Sequence, residues 1–401
     1  MSELGARFAN DLPLRANAPV GAMPAPRRPR IVLVQTQAEG AGAQEITRIL
    51  GHGLTARGYD VHHVFFFRRT AAFDQQPNTH FCARERPSGI AGVSRMIADL
   101  VGHLRALEPD VVLTFQHYGN LLGAPAARLA GAAVIANRTS ARELEPRWTR
   151  LLDSMFGFAG LFDRVVVNSK AVADEYLSHP RRYRARLVRI DHGFAPKRSS
   201  ASRAEARSAL GLPVDVPLLG SVARLHPQKN LGAAVRLLTL RPDWHLALAG
   251  QGTEREVLEA LARSLNVAER VHLVGELSSD GVARFLKGLD VFVFPTRAET
   301  FGLAVVEAAQ AGVPVVASNL EVLREVLATE GAPCALFADP DDTPAFAEAV
   351  DRLLHDKSLR SFLVARAARL EQRYAVDTMT ERYAELIAAL PHGPPRSQAS
   401  R

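Results

Sequence analysis

The sequence predicts two α/β domains, each built on a parallel sheet and facing the other across a central cleft. Three observations carry that expectation. The chain has 401 residues, more than one hydrophobic core usually organises. Short apolar runs alternate with longer helical patterns along nearly all of it, as βαβ units require. The alternation breaks once, from Phe194 to Asp215, where Pro196, a Ser/Arg/Lys run and Gly211-Leu212-Pro213 separate two series of similar size.

Residues 1–29, rich in Ala, Pro and Arg, read as a disordered lead. The first domain, 30–195, has strands expected at Ile31–Gln35, Val61–Phe67, Val111–Phe115, Ala133–Asn137, Arg164–Asn168 and Leu187–Asp191. The second, 196–375, opens with a short helical pattern at Arg203–Leu210. Its strands are expected at Leu218–Ala223, His245–Ala249, Val271–Val274, Val291–Phe294 and Val313–Ala317. A last helical pattern, 376–390, has no following strand and is expected to pack away from the second sheet; 391–401 read as a disordered tail. Most of these runs are apolar throughout rather than alternating, which suits strands covered on both faces. Ligands of such sheets bind beyond the carboxyl ends of the strands, so the strand-to-helix loops are where chemistry is sought.

Composition narrows the class. Hydrophobic residues at 47% and charged residues at 23% are ordinary for a globular chain and exclude a mainly disordered one. Two cysteines, Cys82 and Cys334, cannot build a disulfide framework or a thiolate zinc site, which points to the cytoplasm. The uncharged stretch 111–127 carries Gln116, His117, Tyr118, Asn120 and Pro125, so no membrane span is expected. Glu3 and Asp11 and the lack of an apolar run make the lead unlike a secretory signal.

Charge is uneven. Residues 1–195 hold 25 Lys/Arg against 17 Asp/Glu, giving +8, and 196–401 hold 24 against 25, giving −1. Of the 49 basic residues, five are Lys and 44 are Arg. A basic first half suits an anionic neighbour such as a membrane surface; nucleic acid, supported by charge alone, is not expected. The stretch Arg147-Trp148-Thr-Arg150 through Met155, Phe156, Phe158 and Phe162, with Arg181-Arg182-Tyr-Arg184 after it, suits either a membrane interface or a core helix and a solvated loop.

The densest motif is Phe294-Pro-Thr-Arg-Ala-Glu299-Thr300-Phe301-Gly302-Leu303-Ala-Val-Val-Glu307. A buried strand ends at Phe294 and a helix begins near Gly302. From Phe301 to Ser318 Glu307 is the single charge. A buried carboxylate that lacks its partner costs about 3–5 kcal/mol, so Glu307 needs either ligand hydroxyls or an internal cation. The amides of Thr300 to Leu303 lie at a helix start, where phosphate is welcome. Arg224 and Lys229, in Ser221-Val-Ala-Arg224-Leu-His-Pro-Gln-Lys229-Asn230, follow another strand and can meet a diphosphate, with Asn230 placed to cap the next helix. Ala249-Gly250-Gln-Gly252 is a glycine turn whose Arg255 stands where a dinucleotide fingerprint needs a third glycine, which weighs against an oxidoreductase. Gly40-Ala41-Gly42 follows the first strand, and His117 is expected in a loop after the strand Val111–Phe115. Asp339-Pro-Asp341 reads as a helix-start cluster rather than a metal site, and His62-His63 as strand neighbours on opposite faces.

Taken together, Glu299-x7-Glu307, Arg224-Leu-His-Pro-Gln-Lys229-Asn, Ala249-Gly-Gln-Gly-Thr-Glu-Arg and Asp290-Val-Phe-Val-Phe-Pro resemble the retaining family-4, or group 1, glycosyltransferases of the GT-B fold. The likeness runs from about Arg30 to Leu390 and is strongest from Leu218 to Val326. It implies two Rossmann-like domains, a nucleotide-sugar donor held mainly by the second, and a final helix crossing back to the first. Arg224 and Lys229 would hold the diphosphate, Glu307 the ribose, and Glu299 with the backbone of Phe301 and Gly302 the transferred sugar. Thr300 and Leu303 would complete that turn. Gly250 and Val274 would lie near the base, Gly42 and His117 on the acceptor side. The donor would be a UDP-sugar, or a GDP-sugar, with no cofactor and no metal. The acceptor would be a glycan or lipid-linked hydroxyl in bacterial polysaccharide or lipopolysaccharide synthesis, met in the cytoplasm or at the membrane's inner face. A nucleotide-sugar 2-epimerase and a non-catalytic sugar-nucleotide binder are the alternatives.

Overall fold

A computed structural model describes residues 28–39, 42–139 and 145–390. Most of the expected lead, Gly40 and Ala41 of the first glycine turn, and the expected tail lie outside the described residues.

The first half alternates β1 (Arg30–Ala38), α1 (Gly42–Ala56), β2 (Asp60–Arg68), β3 (Thr79–Ala83), α2 (Gly89–Leu107), β4 (Val111–Phe115), α3 (Gln116–Leu129), β5 (Ala133–Arg138), α4 (Arg147–Ala159), β6 (Arg164–Val167), α5 (Lys170–Glu175), α6 (Arg181–Arg184) and β7 (Leu187–Arg189). Its seven strands run parallel in the order β3-β2-β1-β4-β5-β6-β7. The second half runs α7 (Arg203–Ser208), β8 (Leu218–Val222), α8 (Leu231–Leu237), β9 (His245–Ala249), α9 (Arg255–Ser264), β10 (Val271–Gly275), α10 (Ser279–Gly288), β11 (Val291–Phe294), α11 (Leu303–Gln310) and β12 (Val315–Ser318). It ends with α12 (Glu321–Val326), the two-residue strands β13 (Ala328–Thr329) and β14 (Ala332–Pro333), β15 (Leu336–Ala338), α13 (Thr343–His355), α14 (Lys357–Ala367), α15 (Leu370–Arg373) and α16 (Val376–Ala388). Here the parallel order is β10-β9-β8-β11-β12-β15. In both sheets the order reverses at the first strand, the switch point where ligands of such sheets bind.

Four strands escape the sequence pattern. β3, Thr79-His-Phe-Cys-Ala, is an edge strand with mixed polarity, and β13, β14 and β15 are two or three residues long, too short for any periodicity to register. The strand expected at Val313–Ala317 begins two residues later, after Pro314, which lacks an N–H for the ladder. α16 lies on the first half: the Tyr383 hydroxyl donates to Asn137 Oδ1 at 2.6 Å, and Thr380 packs where Gly53 of α1 leaves room.

Candidate active site

The site is built from loops at the carboxyl ends of strands, laced to one another. The turn after β8 and the segment after β11 share three hydrogen bonds: Arg297 N–H to Gln228 O at 2.9 Å, Gln228 Nε2 to Ala298 O at 2.7 Å, and Thr296 Oγ1 to Gln228 O at 3.2 Å. This lacing delivers Lys229 to Glu299. Their side chains form an ion pair, largely buried, with the ammonium 5.4 Å from the centre of the Phe294 ring. Sequence reasoning gives these two residues separate tasks, on diphosphate and on sugar; the fold joins them. Arg224, from the same turn, is exposed.

Asn230 departs from expectation. Its backbone is left-handed at φ 50 and its side chain caps nothing on α8; instead the His226 ring accepts the Gln228 N–H in the short turn before it. Gly250 is fixed by crowding: at φ 140, a Cβ there would stand 1.9 Å from Ala223 O, so only glycine lets the turns after β8 and β9 touch. Val274 lies half-buried in β10, beside the Gly275 carbonyl that accepts the Gly250 N–H at 2.7 Å.

Gly302 opens α11 at φ 82, where an added Cβ would press on Leu323 at 2.9 Å. One and a half turns on, Glu307 is 8% exposed. Its partner is Lys197, whose ammonium lies 3.7 Å away and also donates to Ser279 Oγ at 2.7 Å. The open question over Glu307 is thus answered by an internal cation, though an incomplete one. Burial outweighs the nearby ammonium and pushes the carboxyl up to about 7. Lys197 sits in the connection between the two sheets, and the sequence reading passes over it. Replacing Lys197 with Met is expected to weaken nucleoside diphosphate binding severalfold at neutral pH, by favouring a protonated Glu307; titration calorimetry against pH checks it.

The two halves meet at this turn. Ser169, which caps α5 through the Val172 N–H, donates its hydroxyl to Thr300 O at 3.1 Å, and Asn168 Nδ2 approaches Thr300 Oγ1 at 3.4 Å. Phe301 turns its ring inward, against His192 at 5.0 Å, Tyr374 at 5.1 Å and Phe194 at 6.2 Å between centres. Leu303 reaches Gly42 at the start of α1, so that a Cβ there would lie 3.5 Å from Leu303 Cδ2. Asn168, Ser169 and His192 are further residues the sequence analysis missed. His192 is buried, and burial pushes its imidazole down to about 4, leaving it neutral.

His117 is placed differently from expectation. No loop follows β4: the strand passes directly into α3, with Gln116 as the joint at φ 64 and its N–H held by Thr139 Oγ1 at 3.2 Å. Gly119 and Pro125 suggest a loop in sequence, yet Pro125 stands inside the helix and Gly119 brings it within reach of the Val34 carbonyl. His117 therefore occupies the first turn of α3, its ring tilted against that of Tyr118, with its Nε2 buried and unpaired. Burial, helped by the Arg138 charge, holds the imidazole below its ordinary value. The Asp339 cluster is a helix start: Asp342 caps α13 by accepting the Ala345 N–H at 3.0 Å. His62 lies 3.3 Å from His80 of β3, and among the described residues no group of three or more His, Cys, Asp or Glu side chains is arranged to hold a metal ion.

Two parallel Rossmann-like sheets, joined at a cleft lined by these loops, define a GT-B glycosyltransferase fold. Residues 40–198 match the family described as Glycosyltransferase Family 4, and residues 202–370 the one described as Glycosyl transferases group 1; the chain belongs to this family. It is 30% identical over 259 residues to a D-inositol 3-phosphate glycosyltransferase of Corynebacterium urealyticum, covering 60% of this chain and 59% of that one. It is 32% identical over 213 residues to the lipopolysaccharide core biosynthesis mannosyltransferase LpsB of Rhizobium meliloti, covering 50% and 59%. The chain thus spans about three-fifths of the length of these relatives. Anabaena Alr3699/HepE, solved with UDP and glucose, superposes with a TM-score of 0.78 at 18% identity, covering 90% of this chain and all of that one.

Proposed function

We propose that the protein is a retaining glycosyltransferase that moves a sugar from a nucleoside diphosphate donor to a hydroxyl of a glycan or lipid-linked acceptor in bacterial surface polysaccharide or lipopolysaccharide synthesis. The observation that carries this reading is the Lys229–Glu299 pair set beside the glycine-opened start of α11, with Glu307 buried behind it. The donor's diphosphate lies against Lys229 and the start of α11, with Arg224 free to swing in from the surface. Glu307 takes the ribose hydroxyls and Glu299 those of the sugar. As the bond from sugar C1 to phosphate oxygen breaks, charge gathers on the diphosphate, and fixed cations and amides stabilise it more than the ground state. The acceptor oxygen bonds to C1 on the same face, and its proton passes to the departing phosphate oxygen. His117, neutral and with an unpaired Nε2, orients the acceptor or sugar hydroxyl.

UDP is the favoured nucleotide, since HepE was solved with it and the two chains share this fold. The enzyme works in the cytoplasm, at the membrane's inner face, where lipid-linked acceptors are presented. The test is thermal stabilisation by UDP, GDP, ADP, dTDP and NAD, followed by turnover of the matching sugar nucleotides. A ligand at about 100 times its dissociation constant adds about 2.7 kcal/mol. Stabilisation by one nucleoside diphosphate, most by UDP, is expected. A response to NAD alone, or donor turnover to an epimer without any acceptor, sinks the reading.

A further inference from the structure

The outward face of α4 is apolar and uncovered. Trp148, Leu151, Met155 and Phe158 are 57%, 64%, 54% and 55% exposed. At about 100° per residue, their spacing gathers all four into an arc of roughly 80°. Thr149, Asp153 and Gly157 occupy the opposite arc and are buried. That inner face is locked: Asp153 accepts from the Tyr183 hydroxyl at 2.9 Å and pairs with Arg138, while Gly157 makes room for the Tyr183 ring. The helix cannot roll to hide its stripe.

Arginines border it on one side. Arg147 and Arg150 lie on one flank of α4. Arg181, Arg182 and Arg184 project from α6, which is tied to α4 through Tyr183 and a 3.1 Å contact between Ser154 and His179. Among the described residues, none of these five guanidiniums is held in an ion pair. All five lie in the half of the chain that carries +8.

We propose that α4 and α6 form the face by which this protein lies on an anionic bilayer. α4 rests in the plane of the headgroups, its four apolar side chains among the acyl ends and the arginines on lipid phosphates. The dimensions favour a bilayer over a second protein. The stripe is four side chains on about 15 Å of helix, whereas a stable protein interface engages 20–30 residues a side. The location suits the transferase reading, which this inference deepens by naming where the acceptor arrives. The chain enters α4 from the end of β5, and Thr139 there holds the Gln116 N–H next to His117.

The sequence contains two tryptophans, and the other, Trp244, is 1% exposed. Trp148 is thus the fluorophore that a vesicle can change. With the full chain and phosphatidylcholine vesicles containing about 30% phosphatidylglycerol, a blue shift in emission and co-flotation are expected. Both should fall at least tenfold with pure phosphatidylcholine or at high salt. Leu151→Ser with Phe158→Ser, and separately Arg181→Glu with Arg182→Glu, should each cut binding about tenfold. Trp148→Phe should abolish the shift while flotation persists. Absence of flotation, or flotation that neither pair of substitutions weakens, overturns the proposal. So does a lipid-free dimer that already buries Trp148, which would make a second copy the occupant. Stabilisation by UDP, measured on the same variants, reports that they fold. Loss of that stabilisation in wild type with vesicle binding intact would count against the transferase reading alone.

Discussion

Replacing Lys229 with alanine is expected to abolish stabilisation by the nucleoside diphosphate and to lower kcat by about 10²–10³, the cost of one preorganised charge partner at a site of developing negative charge. The effect is large because Lys229 is already in place. The Gln228 hydrogen bonds fix its turn and the Phe294 ring lies under its ammonium. Removing it also strands the Glu299 carboxylate, whose remaining hydrogen-bond partner among the described residues is Thr296 Oγ1 at 3.4 Å. An unpaired, mostly buried carboxylate is costly, so the single variant should also melt earlier. Lys229→Ala combined with Glu299→Ala should recover that melting temperature but not the turnover. Such a split between stability and rate separates a catalytic partner from a mere structural pair. Retention of kcat within about threefold in Lys229→Ala would remove the pair from the reaction.

Glu307→Gln is expected to stabilise the unliganded protein and to cost donor binding. The sign follows from burial. The carboxyl titrates near 7 in the fold against an ordinary 4.5, so between those values the folded chain holds a proton that the unfolded chain has released. Stability therefore falls as pH rises through this window, by up to about 3 kcal/mol above it. Glutamine removes that loss, minus whatever Lys197 forfeits when its partner becomes neutral. The melting temperatures of variant and wild type should coincide near pH 4.5 and diverge toward pH 8, with the variant higher. Calorimetric titration with UDP should show binding weakened at least tenfold in the variant. A constant offset across pH would mean that Glu307 is not held as an uneasy carboxylate, and the ribose role would lose its physical basis.

The alternation of apolar runs revealed eleven of the fifteen strands to within two or three residues at each end, because a strand covered on both faces writes an unbroken apolar run. It could not reveal β3, whose polarity is mixed, or strands two and three residues long. Along the site the record divides by sequence distance. Glu299, Gly302 and Glu307 lie within one short motif, and their relation is readable from spacing. Lys197 reaches Glu307 across 110 positions, and Ser169 meets Thr300 across 131; no local pattern encodes such meetings. A signal for Lys197 was nonetheless present. In a chain with 44 arginines and five lysines, two of the five lysines sit against the two glutamates of the motif. A compact ammonium fits where a guanidinium fork would not. Gly and Pro usually punctuate and so predict a loop around His117, whereas here Gly119 serves close packing of helix on strand.

The return of α16 to the first half has a mechanical consequence. The chain passes between the halves twice, and the two passages run side by side. Phe194 N–H donates to Tyr374 O at 3.0 Å, the two rings stack at 6.0 Å, and Gly193 N–H meets Met379 Sδ at 3.1 Å. A single tether would behave as a ball joint. Two pinned together behave as a hinge with one axis, resisting twist and sideways slip while permitting rotation. Rotation about that axis would part and rejoin the Ser169–Thr300 and Gly42–Leu303 contacts in step, so that on the proposed reading gripping the donor and aligning the acceptor become one stroke.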